Sequence, residues 1–454
     1  MTDKNLLEKY NQPTPRYTSY PTVPYWDNEP ISEATWADKV KKAFNKSNQE
    51  NGISVYIHLP YCESLCTFCG CNKRITRNHN VEKPYIDAVL REWDMYLEIM
   101  GDLPHIKELH LGGGTPTFFS SESLKILVEA IKEKSHLTPD YEFSIEVHPN
   151  VTRKEQLKTL YDIGFRRLSL GVQDFDPVVQ DIINRIQPYE NVEMVTEYAR
   201  NLGFTSINFD LVYGLPLQKE ESIINTIEKV KKLMPDRIAF YSYAHVPWKS
   251  PGQRRFTEAD LPSPDQKRKL YEIGREMLEE AGYVEIGMDH FALPSDSLYK
   301  AVKEKTMHRN FMGYNSRYTE LLIGLGVSSI SDTWDAYIQN NKTIDEYLEI
   351  IESGNLPITS GHILNEEDKV IRKHILNLMC SFTTSWEDKS LQHHSLTEGI
   401  KRMKELEKDG LVKILPESIE VTEAGKTFIR NICMTLDSRL WNKIPTTQLF
   451  SKAI

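Results

Sequence analysis

Between residues 52 and 245 the chain alternates short apolar runs with stretches whose apolar residues recur at helical spacing. The runs at 53–59, 108–111, 143–147, 167–172, 206–212 and 237–243 read as buried strands. Pro84 opens a helix lined by Ile86, Val89, Leu90, Trp93 and Leu97. Further helices are predicted over 122–133, 154–163, 192–202 and 223–233. Strictly alternating strands and helices predict a parallel sheet with right-handed crossovers. Six such units are fewer than the eight of a closed barrel, so the fold class is α/β, an open partial (β/α)6 barrel spanning 51–245.

The flanks are patterned differently. Residues 1–50 hold Pro13, Pro15, Tyr17, Tyr20, Pro21, Pro24, Tyr25 and Trp26, which reads as an irregular arm packed on the next domain. A helix follows from Ser32, with Trp36, Val40 and Phe44 on one face. Residues 246–360 form a less regular extension broken by Pro247, Pro251, Pro262 and Pro264, with a helix over 265–281. Its blocks 287–292, 308–314 and 322–330 concentrate His, Arg, Gly and aromatic residues, as a ligand-wrapping segment would. Residues 361–454 read as a small C-terminal helical, winged-helix-like domain, with helices over 366–379 and 396–409 and then a short hairpin.

Composition narrows the function classes. The net charge of −10 argues against a general nucleic-acid binder, and acidic residues near the C-terminal helices argue against DNA binding there. No apolar run reaches the roughly 18 residues of a membrane span, and residues 1–5 carry no apolar signal core. A cytoplasmic location and a monomer are the expectations.

Four of the six cysteines fall within ten residues, directly after the first strand: Cys62, Cys66, Cys69 and Cys71. Thiols crowded into one loop of a long chain predict a metal or redox site rather than a disulfide framework. The spacing C-x3-C-x2-C of Cys62, Cys66 and Cys69 suits three corners of a cubane iron–sulfur cluster, leaving one iron open to a small molecule. Structural zinc is the alternative, but it ordinarily pairs two knuckles. Cys380 and Cys433 are isolated and read as core residues. Cys71 lies two residues past the third ligand, as either a solvent-side thiol or a functional extra. Polar and glycine residues collect at the C-terminal ends of the strands, where parallel sheets build their sites.

The cysteine loop resembles the cluster motif of the radical S-adenosylmethionine superfamily. Pro15-Arg16-Tyr17-Thr18-Ser19-Tyr20-Pro21-Thr22, Cys69-Gly70-Cys71-Asn72-Lys73, His110-Leu111-Gly112-Gly113-Gly114-Thr115-Pro116-Thr117, Gly171-Val172-Gln173-Asp174-Phe175, Asp210 to Pro216, Gly287 to Ala292, the block 308–314 and Arg430 to Met434 resemble one family within it, the oxygen-independent coproporphyrinogen III oxidases. The resemblance covers nearly the whole chain. It implies one [4Fe-4S] cluster on Cys62, Cys66 and Cys69, and two S-adenosylmethionine molecules. Tyr56, Gly113, Glu146 and Ile330 would contact the first of these. Phe68, Gly114, Thr115, Gln173, Arg185, Asp210 and Ala244 would surround the second. Cys71 and His58 are the candidate catalytic groups, with a hydrogen-bonded core histidine as the other reading of His58.

The reaction so implied converts two propionates of coproporphyrinogen III to vinyl groups. A 5′-deoxyadenosyl radical takes a hydrogen from the propionate β-carbon, and the substrate radical loses carbon dioxide and one electron. An electron donor and an electron acceptor, neither identified by the sequence, are required partners. Four substrate carboxylates call for cations, and Arg16, Lys73, Arg254, Arg255 and Arg309 are the candidates. Met312 stands where the family's Asn-Phe-Gln-Gly pattern carries Gln, and it cannot make an amide's hydrogen bonds. The alternatives are a haem-binding chaperone of the same family and a radical enzyme that opens haem.

Overall fold

The predicted rhythm folds into one twelve-stranded sheet. The computed structural model describes residues 4–27, 29, 31–248 and 250–452. The six expected strands are β1 (Ile53–Leu59), β2 (His105–Gly113), β3 (His136–Val147), β4 (Phe165–Gln173), β5 (Ser206–Tyr213) and β6 (Arg237–Ser242). They pair in parallel in chain order. After them come β7 (Val284–Gly287), β8 (His290–Ala292), β9 (Leu321–Leu325), β10 (Ile330–Asp332), β11 (Ala336–Asn340) and β12 (Ile358–Ile363).

The sheet order is β12-β11-β10-β9-β1-β2-β3-β4-β5-β6-β8-β7. β9 pairs in parallel with β1, adding a seventh parallel strand that the alternation had not predicted. All five of its residues are buried, and the element directly before it is a hairpin rather than a helix. β7 and β8 extend the other edge antiparallel. The extension 246–360 thus adds strands to both edges of the sheet, between the helices Pro264–Glu280, Ser297–Glu304 and Ile344–Glu352.

The crossover helices obey the apolar pattern. Glu82–Met100 buries Ile86, Val89 and Trp93, and begins two residues before Pro84. Pro is tolerated there because the first N–H groups of a helix have no internal acceptor. Ser121–Glu133, Lys154–Asp162, Tyr189–Leu202 and Glu220–Leu233 occupy their predicted spans within three residues. Ser32 caps Glu33–Asn51, accepting the Thr35 N–H. Apolar side chains of these helices and of β1–β6 form one continuous core.

The N-terminal arm departs from expectation in two ways. Lys4–Tyr10 is helical, ahead of the first proline. Tyr10, Tyr17 and Tyr20 do not lie on a surface but are buried in a second core shared with the C-terminal helices Glu366–Ser381 and His394–Lys408. Tyr17 Oη donates to Asp437 at 3.0 Å, and Arg430 holds the Pro15 carbonyl at 3.1 Å. The two ends of the chain thus fold together. β12 runs across residue 360, where the sequence reading ends its extension. The C-terminal hairpin, Val412–Ile414 and Ser418–Val421, gains a third strand, Thr383–Ser385. Cys380 and Cys433 are buried, as read from their isolation.

Candidate active site

β1 is buried along its length except at Tyr56, and it delivers the cysteine loop to the C-terminal edge of the sheet. The base of the loop is closed by parallel pairing of Tyr61–Cys62 with Arg74–Ile75. One flank docks on the helix Pro177–Ile182: Thr67 N–H donates to the Ile183 carbonyl at 2.9 Å, and Asn184 donates to the Leu65 carbonyl at 2.7 Å. The other flank is held by Gln253, which is 1% exposed. Its amide donates to the Phe68 carbonyl at 3.0 Å and the Ala244 carbonyl at 3.2 Å, and accepts from Val246 N–H at 2.6 Å.

Cys62, Cys66, Cys69 and Cys71 all line one cavity of about 530 Å³. Thr115 donates its hydroxyl to Cys62 Sγ at 3.3 Å, and Arg185 Nη1 lies 3.5 Å from Cys66 Sγ. Lys73 Nζ caps the Cys69 and Cys71 carbonyls at 3.2 and 3.3 Å. Burial pushes the Cys62 thiol up to about 11. A hydrogen bond from Cys71, with Lys73 and Arg185 nearby, lowers Cys69, and the same bond raises Cys71 against the pull of Lys73. Among the described residues no three His, Cys, Asp or Glu converge on a single-ion position. Three thiols on one loop, with donors placed on two of the sulfurs, are the soft donor set that an iron–sulfur cluster takes.

The strand ends complete the cavity. Gly113 has φ +116, and a side chain there would strike the His58 ring at 2.8 Å. Its N–H donates to Glu146 Oε2 at 3.1 Å. Burial pushes Glu146 up, but His110, the Gly113 N–H and His58 outweigh it and hold the carboxyl below its ordinary value. Asp210 accepts from Ser169 at 3.0 Å and Asn208 at 2.8 Å. Burial and the neighbouring Glu146 push Asp210 up to about 7. Arg185 Nη2 donates to the Gly171 carbonyl at 2.6 Å, while its Nε is buried without a partner. Gln173 holds φ +66, a conformation side chains rarely adopt. The cavity therefore offers two carboxylates for hydroxyl or ammonium groups, and a guanidinium for a carboxylate.

The cavity gathers Phe68, Gly113, Gly114, Thr115, Glu146, Gln173, Arg185 and Asp210 with the four cysteines. Tyr56, His58, Ala244 and Ile330 are not among its lining residues. His58 is 6% exposed and bonded at both ring nitrogens, to Tyr56 Oη at 3.0 Å and to the Asn72 carbonyl at 2.9 Å. Ala244 is tied to the loop through Gln253, and Ile330 sits in β10 opposite Gln339. Sequence reasoning missed Ser169, His148 and Tyr241 in the lining. Ser169 shares a strand face with Gly171, so a period-two reading would have found it. Gln253 lies in a proline-broken stretch and carried no periodic signal.

Residues 56–230 match the family model of the radical SAM superfamily. The chain is 39% identical to the oxygen-independent coproporphyrinogen III oxidase of Salmonella typhimurium, over 100% of this chain and 98% of the relative. The enzyme of that name from Helicobacter pylori is 39% identical, with 96% of this chain and 97% of the relative covered. The solved structure of the Escherichia coli coproporphyrinogen III oxidase, described as a radical SAM enzyme, superposes with a TM-score of 0.90 at 37% identity, covering 96% of this chain and 99% of that one.

Proposed function

The chain belongs to the oxygen-independent coproporphyrinogen III oxidases of the radical SAM superfamily, and on that premise we propose how its cavity serves the reaction. The activity is the oxidative decarboxylation of two propionates of coproporphyrinogen III to vinyl groups, giving protoporphyrinogen IX in haem biosynthesis. A [4Fe-4S] cluster with S-adenosylmethionine supplies the radical chemistry when bound.

Cys62, Cys66 and Cys69 would hold the cluster. The observation that carries this reading is their convergence with Glu146, Asp210 and Arg185 on one cavity at the strand ends. Gly113 and Gly114 bring bare backbone to the wall. Glu146, already accepting from Gly113, has the remaining acceptor capacity to receive ribose hydroxyls. Arg185, with one N–H unpaired, suits a methionine carboxylate. Phe68 keeps water from one side, packed with Val179, Val212 and Phe256.

The cavity's two polar walls, one around Glu146 and one around Arg185 and Asp210, support room for two S-adenosylmethionine molecules. His58 acts by holding the loop. Cys71, exposed beside the cluster thiols, takes part in proton or hydrogen transfer on this reading. Donor and acceptor of electrons are separate partners. A monomeric, cytoplasmic enzyme fits the family reading, and no described helix is long and apolar enough to cross a membrane.

The test is anaerobic turnover of the reconstituted protein with coproporphyrinogen III, S-adenosylmethionine, a reductant and an electron-acceptor extract. Protoporphyrinogen IX with two carbon dioxide released per molecule is the expected product. Cleavage of S-adenosylmethionine without decarboxylation would move the substrate elsewhere.

A further inference from the structure

Arg309, on the β6 side of the site, is a buried cation with no carboxylate partner among the described residues. It lies in a small hairpin, His308–Asn310 paired with Gly313–Asn315. The residue is 7% exposed, and its guanidinium lies 4.4 Å from the Tyr314 ring centroid. Its Nη2 reaches only the Arg16 carbonyl, at 3.5 Å, while Nε and Nη1 have no hydrogen-bond partner. Among the described residues no carboxylate pairs with it. Asp289 is already engaged by Arg16 at 3.0 Å. Burying an unpaired guanidinium is costly, so a group that arrives from outside is the natural partner.

The position connects to the cavity through three aromatic rings. Tyr314 meets His290 edge-on at 5.1 Å, and His290 meets Tyr241 edge-on at 5.6 Å. Tyr241 lines the cavity, and Arg16 lies 5.9 Å over its ring. β6, which carries Tyr241, is five strands along the sheet from β1 and its cysteines. Tyr241 and the four cysteines nonetheless border the same cavity, so a substrate held there meets the β6 side of the site. The surroundings are electropositive in a chain of net charge −10. Lys267, lowered to about 8 by burial and then by Arg16 and Arg430, sits at the same edge.

We propose that Arg309 is the receptor for a propionate carboxylate of the porphyrinogen that is not being decarboxylated, its unpaired N–H donors taking the carboxylate oxygens. The weak contact with the Arg16 carbonyl yields when the substrate enters. This rests on the functional reading above, and the experiment separates the two.

The experiment compares wild type, Arg309→Gln and Arg309→Lys as full-length, cluster-reconstituted enzymes. Arg309→Gln should raise KM for coproporphyrinogen III by about 10- to 100-fold, as for loss of a charge-assisted hydrogen bond, with kcat changing far less. Arg309→Lys should recover part of the loss. The neutral tetramethyl ester should bind wild type and Arg309→Gln alike, which a merely structural role would not produce. An unchanged KM in Arg309→Gln overturns the proposal, as does equal weakening of ester and free acid. Loss of the cluster in both variants also overturns it, by making Arg309 structural. If wild type itself fails to decarboxylate coproporphyrinogen III, the functional reading falls first.

Discussion

His58 Nε2 donates to the Asn72 carbonyl at 2.9 Å, which fixes the last residue of the cysteine loop's Gly70-Cys71-Asn72 turn to the strand before it. A carbonyl only accepts, so Nε2 carries the proton and Nδ1 is left to accept from Tyr56 Oη at 3.0 Å. Burial lowers the His58 pKa and keeps the ring neutral, as this arrangement requires. His58→Phe should therefore lose reconstituted iron and sulfide and cost about 1–3 kcal/mol of stability. A histidine that served only in catalysis would instead leave the iron content whole and abolish turnover.

The cysteines should divide sharply under substitution. Cys62→Ser is expected to lose the cluster and all cleavage of S-adenosylmethionine. Cys71→Ser should keep the iron and its visible absorption, because Cys71 lies outside the C-x3-C-x2-C set. A colourless Cys71→Ser protein would show that the fourth thiol also binds metal.

Gly171 is crowded by the two side chains that the site needs. A Cβ there would lie 2.8 Å from both Arg185 Nη2 and Gln173 Nε2. Gly171→Ala should displace the guanidinium from the cavity and weaken S-adenosylmethionine binding by about tenfold or more, with the cluster retained. Equilibrium binding of S-adenosylmethionine reads the effect directly, and wild-type affinity in the variant would remove Arg185 from the binding wall.

Much of this was legible from residue pattern, and the failures share a cause. β1 to β6 announce themselves because strands buried on both faces are continuous apolar runs, and Cys62 to Cys69 because ligand spacing is local. β9 was hidden because its partner β1 lies more than 260 residues away in sequence, Ile53 facing Leu321. The burial of Tyr17 and Tyr20 depends on Asp437 and Ser438, at the other end of the chain. Gln253 is similar: its meaning comes from Phe68 and Ala244, and nothing within its own proline-broken segment reports them. Glu92 shows the same limit, a wholly buried carboxylate in a predicted helix that accepts from Gly326, Asn340 and Tyr347. Local pattern reports which residues face inward, whereas long-range pairing decides what they meet there.

Gln253 offers a test of how far loop anchoring controls the site. Gln253→Ala removes three hydrogen bonds from a residue 1% exposed and leaves the Phe68 and Ala244 carbonyls without this partner. A loss of about 2–4 kcal/mol is expected from broken buried bonds and the space left behind. Hydrogen exchange should rise selectively over residues 66–70 and 244–248. Uniform acceleration throughout the barrel would mean that Gln253 supports the fold rather than the loop.

Asp210 and Glu146 should give opposite pH signatures in the cofactor-free protein. Asp210 keeps its proton up to about 7 in the folded chain, against 3.8 for an ordinary aspartate. Between these values the unfolded chain has released a proton that the folded chain still holds, so stability falls as pH rises through this window and levels off above it. Asp210→Asn removes that penalty. Its melting temperature should draw ahead of wild type between about pH 4 and pH 7 and stay ahead above. Glu146 is held below its ordinary 4.5, so it contributes stability above that value that is lost as the pH falls through its folded pKa. Glu146→Gln should therefore be the less stable variant at neutral pH and approach wild type in acid. A melting-temperature difference for Asp210→Asn that does not change with pH would show that Asp210 is ionised like a surface carboxylate, and that the polar wall it forms with Ser169 and Asn208 is already paired with solvent.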